Sequence, residues 1–461
     1  MTDKSAVDPS IIVIFGITGD LSKRYLLPAL YHLFKDDLLA EGTRIVGLTR
    51  QSMTADQLFG QVELCINEVD KICDPEGLRK IREATELFQF DPEKTDDYPK
   101  LLERLNAIEA EQGICMNRLY YLSIPPEMFD ATIHNIGEAG LNSSCQHDKA
   151  ASRLLVEKPF GSDLASAQSL IQKTSAVFNE EQIFRIDHYL AKETVQDILV
   201  FRHSNPIFGD IWNDEHISAI EIIAKESLGV GHRINFYEHV GALRDFVQSH
   251  LLQLMAVTMM ELPKELDAES IHQAKQRLLT ATEPADPEEA IRGQYEGYLK
   301  ESGNSHSTTE TFTRLRLHID DPRWLGTPVT ITSGKSLDEK LTQVALTFRA
   351  PDSEESNRLV FRIYPNEGIH LDLKVKHPGF NDELEQAVMD YSYQHDGTLA
   401  HPDAYERVLL DAVKGDRTLF ATSDQVIASW KIIEPLIEAW RDNSEGLETY
   451  SVGSSGPGLV E

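Results

Sequence analysis

Residues 185–193 read Arg-Ile-Asp-His-Tyr-Leu-Ala-Lys-Glu, placing two cations, two acids, a histidine and a tyrosine in nine positions. The stretch follows a strand-like apolar run, Gln182 to Ile186, and leads into an amphipathic helix from Glu193 to Arg202. A strand-to-helix junction of this kind is a natural phosphate seat. The helix start offers free N–H groups and the positive end of the dipole. His188, Tyr189 and Lys192 add donors and charge. Asp187 does not suit a phosphate contact, because an acid repels the anion; it makes sense facing elsewhere and orienting a base. The alternative is a polar connector with chance clustering.

Three further groups carry candidate chemistry. Gly16-Ile17-Thr18-Gly19-Asp20-Leu21 follows the apolar run Ile11–Phe15 and precedes a helix, the position of a dinucleotide pyrophosphate loop. The standard G-x-G-x-x-G is broken, since Thr18 and Leu21 fill the second and third glycine slots; a tight turn is the bland reading. The next strand ends at Gly47-Leu48-Thr49-Arg50, where NAD-selective proteins place an acid for the ribose hydroxyl. Arginine there suits a 2′-phosphate and favours NADP, unless Arg50 is a routine surface cation. Glu157-Lys158-Pro159-Phe160-Gly161 closes a parallel strand at its carboxyl end, where open α/β sheets bind ligands, and Lys158 there can serve both a sugar hydroxyl and the nicotinamide. Finally, His250 stands among Leu251, Leu252 and Leu254 at the start of an apolar helix. Core packing is the ordinary explanation for such a histidine. With Asp187 as partner it becomes a general base whose cation is stabilised.

The elements that must position these residues fall into two rhythms. Residues 11–190 alternate strands (Ile11–Phe15, Arg44–Thr49, Leu119–Ile124, Arg153–Val156, Gln182–Ile186) with helical spacing such as Leu26, Leu27, Leu30, Leu33. Repeated βα units mean a Rossmann-type, doubly wound parallel sheet. Beyond residue 205 come short alternating strands at 217–224, 312–319, 328–333, 343–348, 358–363 and 369–375. Long helices interrupt them near 240–260, 268–282, 401–415 and 422–440, giving a larger α+β domain with a mostly antiparallel sheet. The expected division is 1–188 for the dinucleotide and 189–461 for substrate and dimerisation.

Composition narrows the partners. Net charge is 44 − 75 = −31, which repels nucleic acid and anionic lipid. Phosphorylated ligands would therefore need a local basic cluster. No apolar run reaches the roughly 20 residues of a membrane helix, and MTDKSAVDPS lacks an apolar secretory core, so the cytoplasm is expected. Cys65, Cys73, Cys115 and Cys145 form no C-x-x-C pair, so neither a zinc site nor a disulfide framework is expected.

The run Arg185–Glu193 resembles the active-site signature of glucose-6-phosphate dehydrogenases. Gly16–Leu21, E-K-P-F-G at 157–161, Ser333-Gly334-Lys335-Ser336-Leu337, Arg362–Glu367 and Asp403-Ala404-Tyr405-Glu406-Arg407 extend the resemblance in order over nearly the whole chain. It implies oxidation of glucose 6-phosphate at C1 with hydride transfer to NADP⁺, NAD being a secondary cofactor. It makes His250 the base and Asp187 its partner, and assigns the 6-phosphate to His188, Tyr189 and Lys192. Sugar contacts fall to Lys158, Glu226, Asp245, Lys335 and Lys340, and the dinucleotide to Gly16, Thr18, Gly19, Asp20, Leu21, Arg50 and Lys158. No metal is implied. A homodimer or homotetramer built on the large sheet is implied. Three departures matter. Ser249 replaces a usual asparagine, and Tyr364 a usual glutamine. Leu341, Ala345, His370 and Asp372 stand where animal members hold a second, structural NADP, so that site is expected to be absent. Asp245 and His250 are five apart, about 140° around an α-helix, so they are not expected on one face. The rival readings are another E-K-P-type sugar dehydrogenase, or a non-catalytic module that binds NADPH.

Overall fold

The computed structural model describes residues 8–70, 73–143, 151–350, 356–393 and 402–458, without the side chains of 63–70. The chain divides into two compact units. The first comprises Met1–Gly161, Gln168–Ala191 and Pro402–Ser423. The second comprises Ser162–Ala167, Lys192–His401 and Asp424–Glu461.

The first unit is built on a six-stranded parallel sheet. Its strands are β1 (Ser10–Phe15), β2 (Arg44–Thr49), β3 (Thr85–Gln89), β4 (Asn117–Leu122), β5 (Ser152–Glu157) and β6 (Ile183–Ile186). Their order is β3-β2-β1-β4-β5-β6. β1 is buried along its whole length, as a strand covered on both faces must be. The order reverses between β1 and β4, so a crevice opens at their carboxyl ends, which is where doubly wound sheets bind ligands. β3 is the strand that spacing does not reveal: Thr-Glu-Leu-Phe-Gln is short, half-buried and at the sheet edge. The helix Ala404–Lys414 returns from the far end of the chain into this unit, through Arg153 donating to the Ala412 and Val413 carbonyls (2.8 and 2.7 Å).

The second unit carries a nine-stranded sheet. Its strands are β7 (Ile217–Lys225), β8 (Ala290–Tyr295), β9 (Phe312–Leu317), β10 (Val329–Gly334), β11 (Leu341–Phe348), β12 (Arg358–Tyr364), β13 (Gly368–Lys376), β14 (Leu384–Ser392) and β15 (Leu447–Tyr450). The order is β14-β13-β12-β11-β7-β10-β9-β8-β15. Every pairing is antiparallel except β7 with β10 and β8 with β15. The expected strands are present; β8, β14 and β15 are additional. β14 lacks a buried apolar face, with Leu384, Val388, Met389 and Tyr391 all exposed, so alternation could not mark it.

One expectation about cysteine is corrected. Cys115 is disulfide-bonded and Cys73 is buried; a disulfide depends on tertiary proximity, which scattered spacing does not encode. Cys145 and the side chain of Cys65 lie outside the described residues. Among the described residues, no helix is long and apolar enough to cross a membrane.

Candidate active site

In the first unit, β1 delivers the chain to Gly16, whose φ is +79°. A Cβ there would stand 2.4 Å from the Ser123 carbonyl oxygen, so only glycine fits. The turn closes by Gly19 N–H donating to the Gly16 carbonyl (2.9 Å) and by the Ser22 hydroxyl donating to the same carbonyl (3.0 Å). Gly47 is the second enforced glycine, because a Cβ would meet Ile17 Cδ1 at 2.3 Å. The result is a cavity of about 330 Å³ lined by Gly16, Thr18, Gly19, Leu48, Arg50 and Ser123. The missing Cβ atoms let the turn pack tightly against Ser123 and Ile17 and leave the cavity open at the carboxyl end of β1, where a dinucleotide fits. Arg50 is exposed at this cavity and among the described residues has no acid within ion-pair distance. The Asp20 carboxylate is engaged by Arg24 (2.7 Å), so Asp20 and Leu21 offer the loop their backbone.

Lys158 follows the end of β5, two positions from Phe160 and beside Glu157. The Tyr121 hydroxyl donates to the Glu157 carboxylate at 2.6 Å. Burial pushes the Glu157 carboxyl up to about 7, partly offset by the bond from Tyr121, by the Lys158 charge and by the nearby Tyr405 hydroxyl. Asp187 follows β6 and is 4% exposed. Its Oδ1 accepts from Tyr189 N–H (3.0 Å) and its carbonyl accepts from Leu190 N–H (3.0 Å), which fixes the turn that presents His188 and Tyr189. The His188 and Tyr189 rings lie 5.1 Å apart. The first unit therefore gathers Lys158, Asp187, His188 and Tyr189.

In the second unit, Lys192 is the N-cap of the helix Glu193–Ser204. β7 and β10 run parallel with Lys225 opposite Gly334, so the residues that follow them, Glu226 and Lys335, emerge side by side. The Lys335 ammonium is bonded to the Glu226 carboxylate and lies 5.2 Å over the Tyr237 ring. Tyr237 is fully buried. Its hydroxyl is pushed well above the usual range, by burial first and then by Asp245, Glu310, Tyr450 and Glu226. Lys340 stands apart from this group, exposed and 4.0 Å over the Tyr364 ring.

Asp245 and His250 lie on a π-helical segment, Leu243–Leu251, that runs into the α-helix Leu252–Met259. This corrects the separation expected from α-geometry. With i→i+5 bonding, residues five apart come to neighbouring positions on one side of the helix. Asp245 is 7% and His250 1% exposed, and Arg233 lies 3.6 Å from the Asp245 carboxylate. Side chains hold this helix at both ends. At the start, Leu243 N–H donates to the buried Glu310 carboxylate (3.0 Å), an acid at the positive dipole end. Burial raises the Glu310 carboxyl, and Arg244 and the Leu243 N–H oppose that. At the finish, Arg202 donates to the Val257 and Met260 carbonyls (2.9 and 2.7 Å), Trp212 to Thr258 (2.8 Å) and Trp324 to Met259 (2.8 Å). These four carbonyls have no partner within the helix, so the caps satisfy them.

Sequence reasoning missed Glu157, Tyr237, Glu310 and Arg202 as parts of the site. Glu157 and Tyr405 stand within quoted motifs, E-K-P-F-G and D-A-Y-E-R, and could have been found there. Glu310 and Arg202 carry no local signal, because their partners are 67 and 55 residues away.

Two family profiles match the chain. They are described as glucose-6-phosphate dehydrogenase, NAD binding domain (residues 13–197) and C-terminal domain (residues 199–461). A glucose-6-phosphate 1-dehydrogenase of Chlamydia muridarum is 37% identical, covering 98% of this chain and 94% of the relative. Glucose-6-phosphate 1-dehydrogenase 2 of Mycobacterium bovis is 38% identical, over 97% and 91%. Among solved structures, a glucose-6-phosphate dehydrogenase in complex with its substrate glucose 6-phosphate aligns with a TM-score of 0.92 at 31% identity, covering 98% of this chain and 96% of that one. The enzyme from Mycobacterium avium aligns at 0.84 and 33%, over 97% and 96%.

Proposed function

The chain belongs to the glucose-6-phosphate dehydrogenase family, and on that premise we propose how its own residues oxidise glucose 6-phosphate at C1 to 6-phosphoglucono-1,5-lactone, NADP⁺ being reduced. Residues 1–188 carry the dinucleotide site and residues 189–461 the larger part of the sugar site. NADP supplies a nicotinamide that accepts hydride. The Gly16–Gly19 turn receives its pyrophosphate, Thr18 lends a hydroxyl, and Arg50 selects the 2′-phosphate; NAD⁺ is used more weakly.

His250 takes the proton of the C1 hydroxyl as the hydride leaves C1, and the carboxylate of Asp187 stabilises the imidazolium that results. His188, Tyr189 and Lys192 hold the 6-phosphate. Lys158, Glu226, Asp245, Lys335 and Lys340 position the sugar. The two reactants held together supply most of the rate gain. The single observation that carries this reading is the half-buried pairing of Lys335 with Glu226 at the ends of β7 and β10: it pre-forms a donor and an acceptor for sugar hydroxyls.

The exposed apolar side chains of β14, at the edge of the large sheet, are the surface through which two chains form a homodimer, which can pair further to a homotetramer. The enzyme works in the cytoplasm. The test compares NADP⁺ reduction with glucose 6-phosphate and with glucose. A preference of at least about 100-fold in kcat/KM for the phosphorylated sugar supports the reading; equal rates support a different E-K-P-type sugar dehydrogenase.

A further inference from the structure

The first unit holds a polar cluster that the proposed mechanism leaves unused. Glu157 sits at the end of β5, beside Lys158. Its carboxylate accepts from the fully buried Tyr121 hydroxyl on β4 at 2.6 Å, and the Tyr405 hydroxyl faces it. The Tyr405 ring makes two further contacts. It stacks on Tyr25 at 5.2 Å and 23°, within the helical turn that follows the dinucleotide loop. Its other neighbour is His188, at 6.3 Å and 10°. One tyrosine thus touches the elements that carry the dinucleotide loop, Lys158 and the phosphate seat. A half-buried carboxylate is fixed by one good donor, here Tyr121, and the Tyr405 hydroxyl on a separate element favours its ionised form.

We propose that Glu157 and Tyr405 are positioning residues for hydride transfer: the clamped Glu157 carboxylate holds the Lys158 ammonium, and the Tyr405 ring ties that hold to His188. The inference rests on the roles given above to Lys158 and His188. The groups facing the Glu157 carboxyl are the Tyr121 and Tyr405 hydroxyls, the Lys158 ammonium and the Asp187 carboxylate. Asp403 and Tyr25 act on it through Tyr405. The Glu157 carboxyl, pushed up to about 7, is ionised above that pH and neutral below it. Only the ionised form attracts Lys158, so the active arrangement is lost as pH falls through 7.

The test uses the full chain with Glu157→Gln and Tyr405→Phe, measuring kcat and both KM values from pH 5.5 to 9.5, with melting temperature as the fold control. Glu157→Gln lowers kcat about tenfold with KM values within about threefold, since displacement of a reacting group costs up to about 100-fold. It also removes the component of the acid limb near pH 7. Tyr405→Phe keeps the stack and removes the donor that lowers the carboxyl, so that component moves to higher pH. Unchanged kcat and an unchanged acid limb in both variants overturn the inference. If Glu157→Gln does not fold, Tyr405→Phe alone decides. An unaltered protein that fails to reduce NADP⁺ with glucose 6-phosphate refutes the proposed function itself; an active one with unaltered variants refutes only this inference.

Discussion

Arg202→Met tests whether the helix that carries His250 is held at its end as described. The substitution deletes the bonds from Nη1 to the Val257 carbonyl (2.9 Å) and from Nη2 to the Met260 carbonyl (2.7 Å). Val257 and Met260 are 3% and 0% exposed, so their carbonyls have no ready water. Each buried acceptor left without a donor costs about 1–3 kcal/mol, or about 2–6 together. Loss of a cation from a helix C-terminus adds to this. Against it stands the cost of burying the guanidinium, which pushes Arg202 down to about 9. Methionine refills most of the stem volume without that cost. The net loss is about 2–4 kcal/mol. Arg202→Lys should recover less than half, because a point charge cannot fork to carbonyls three residues apart. Urea unfolding followed by tryptophan fluorescence measures it, since Trp212 lies 5.1 Å from the guanidinium. Amide exchange of residues 252–260 localises it. A loss below about 0.5 kcal/mol, or full recovery by lysine, refutes the capping argument.

Other consequences concern the chemistry. His250→Ala should lower kcat about 10²–10⁴-fold with little change in sugar KM, because a general base acts on the moving proton; near-full kcat would remove His250 from that role. Lys192→Ala and His188→Ala should each raise KM for glucose 6-phosphate about tenfold or more, as loss of a charge-assisted bond worth about 1.5–3 kcal/mol requires, and leave slow turnover of glucose unchanged. Equal losses on both sugars would mean that neither residue sees the phosphate. Arg50→Ala should shift the KM ratio of NADP⁺ to NAD⁺ by at least about tenfold, some 1.4 kcal/mol; Arg24, already engaged by Asp20, is poorly placed to compensate. Parallel movement of the two KM values would show that Arg50 does not discriminate.

The parts of this molecule that sequence makes legible are those written locally. β1 is a continuous apolar run, and the strands that spacing marks fall at or within two residues of where it puts them. The loop Gly16–Leu21 and the run Arg185–Glu193 are contiguous, so the chemistry of each could be read from neighbours. What was not legible depends on distant pairing or unusual geometry. The edge strand β14 has no buried face to impose alternation. The return of Pro402–Ser423 to the first unit leaves no trace in periodicity. The π-helical geometry of Leu243–Leu251 changes which residues share a side, and an α-helical projection separated Asp245 from His250 for that reason alone. Glu310 and Arg202 are ordinary charged residues until the fold brings them to the two ends of one helix.

The central claim is direct transfer of the C1 hydrogen of glucose 6-phosphate to the nicotinamide, and isotopic labelling tests it without assuming any residue's role. The protein is mixed with NADP⁺ and glucose 6-phosphate deuterated at C1, and the reduced cofactor is isolated and weighed by mass spectrometry. The account predicts one deuterium per reduced nicotinamide and an unlabelled lactone carbon. Reduced cofactor without deuterium, or no reduction at all, would contradict it.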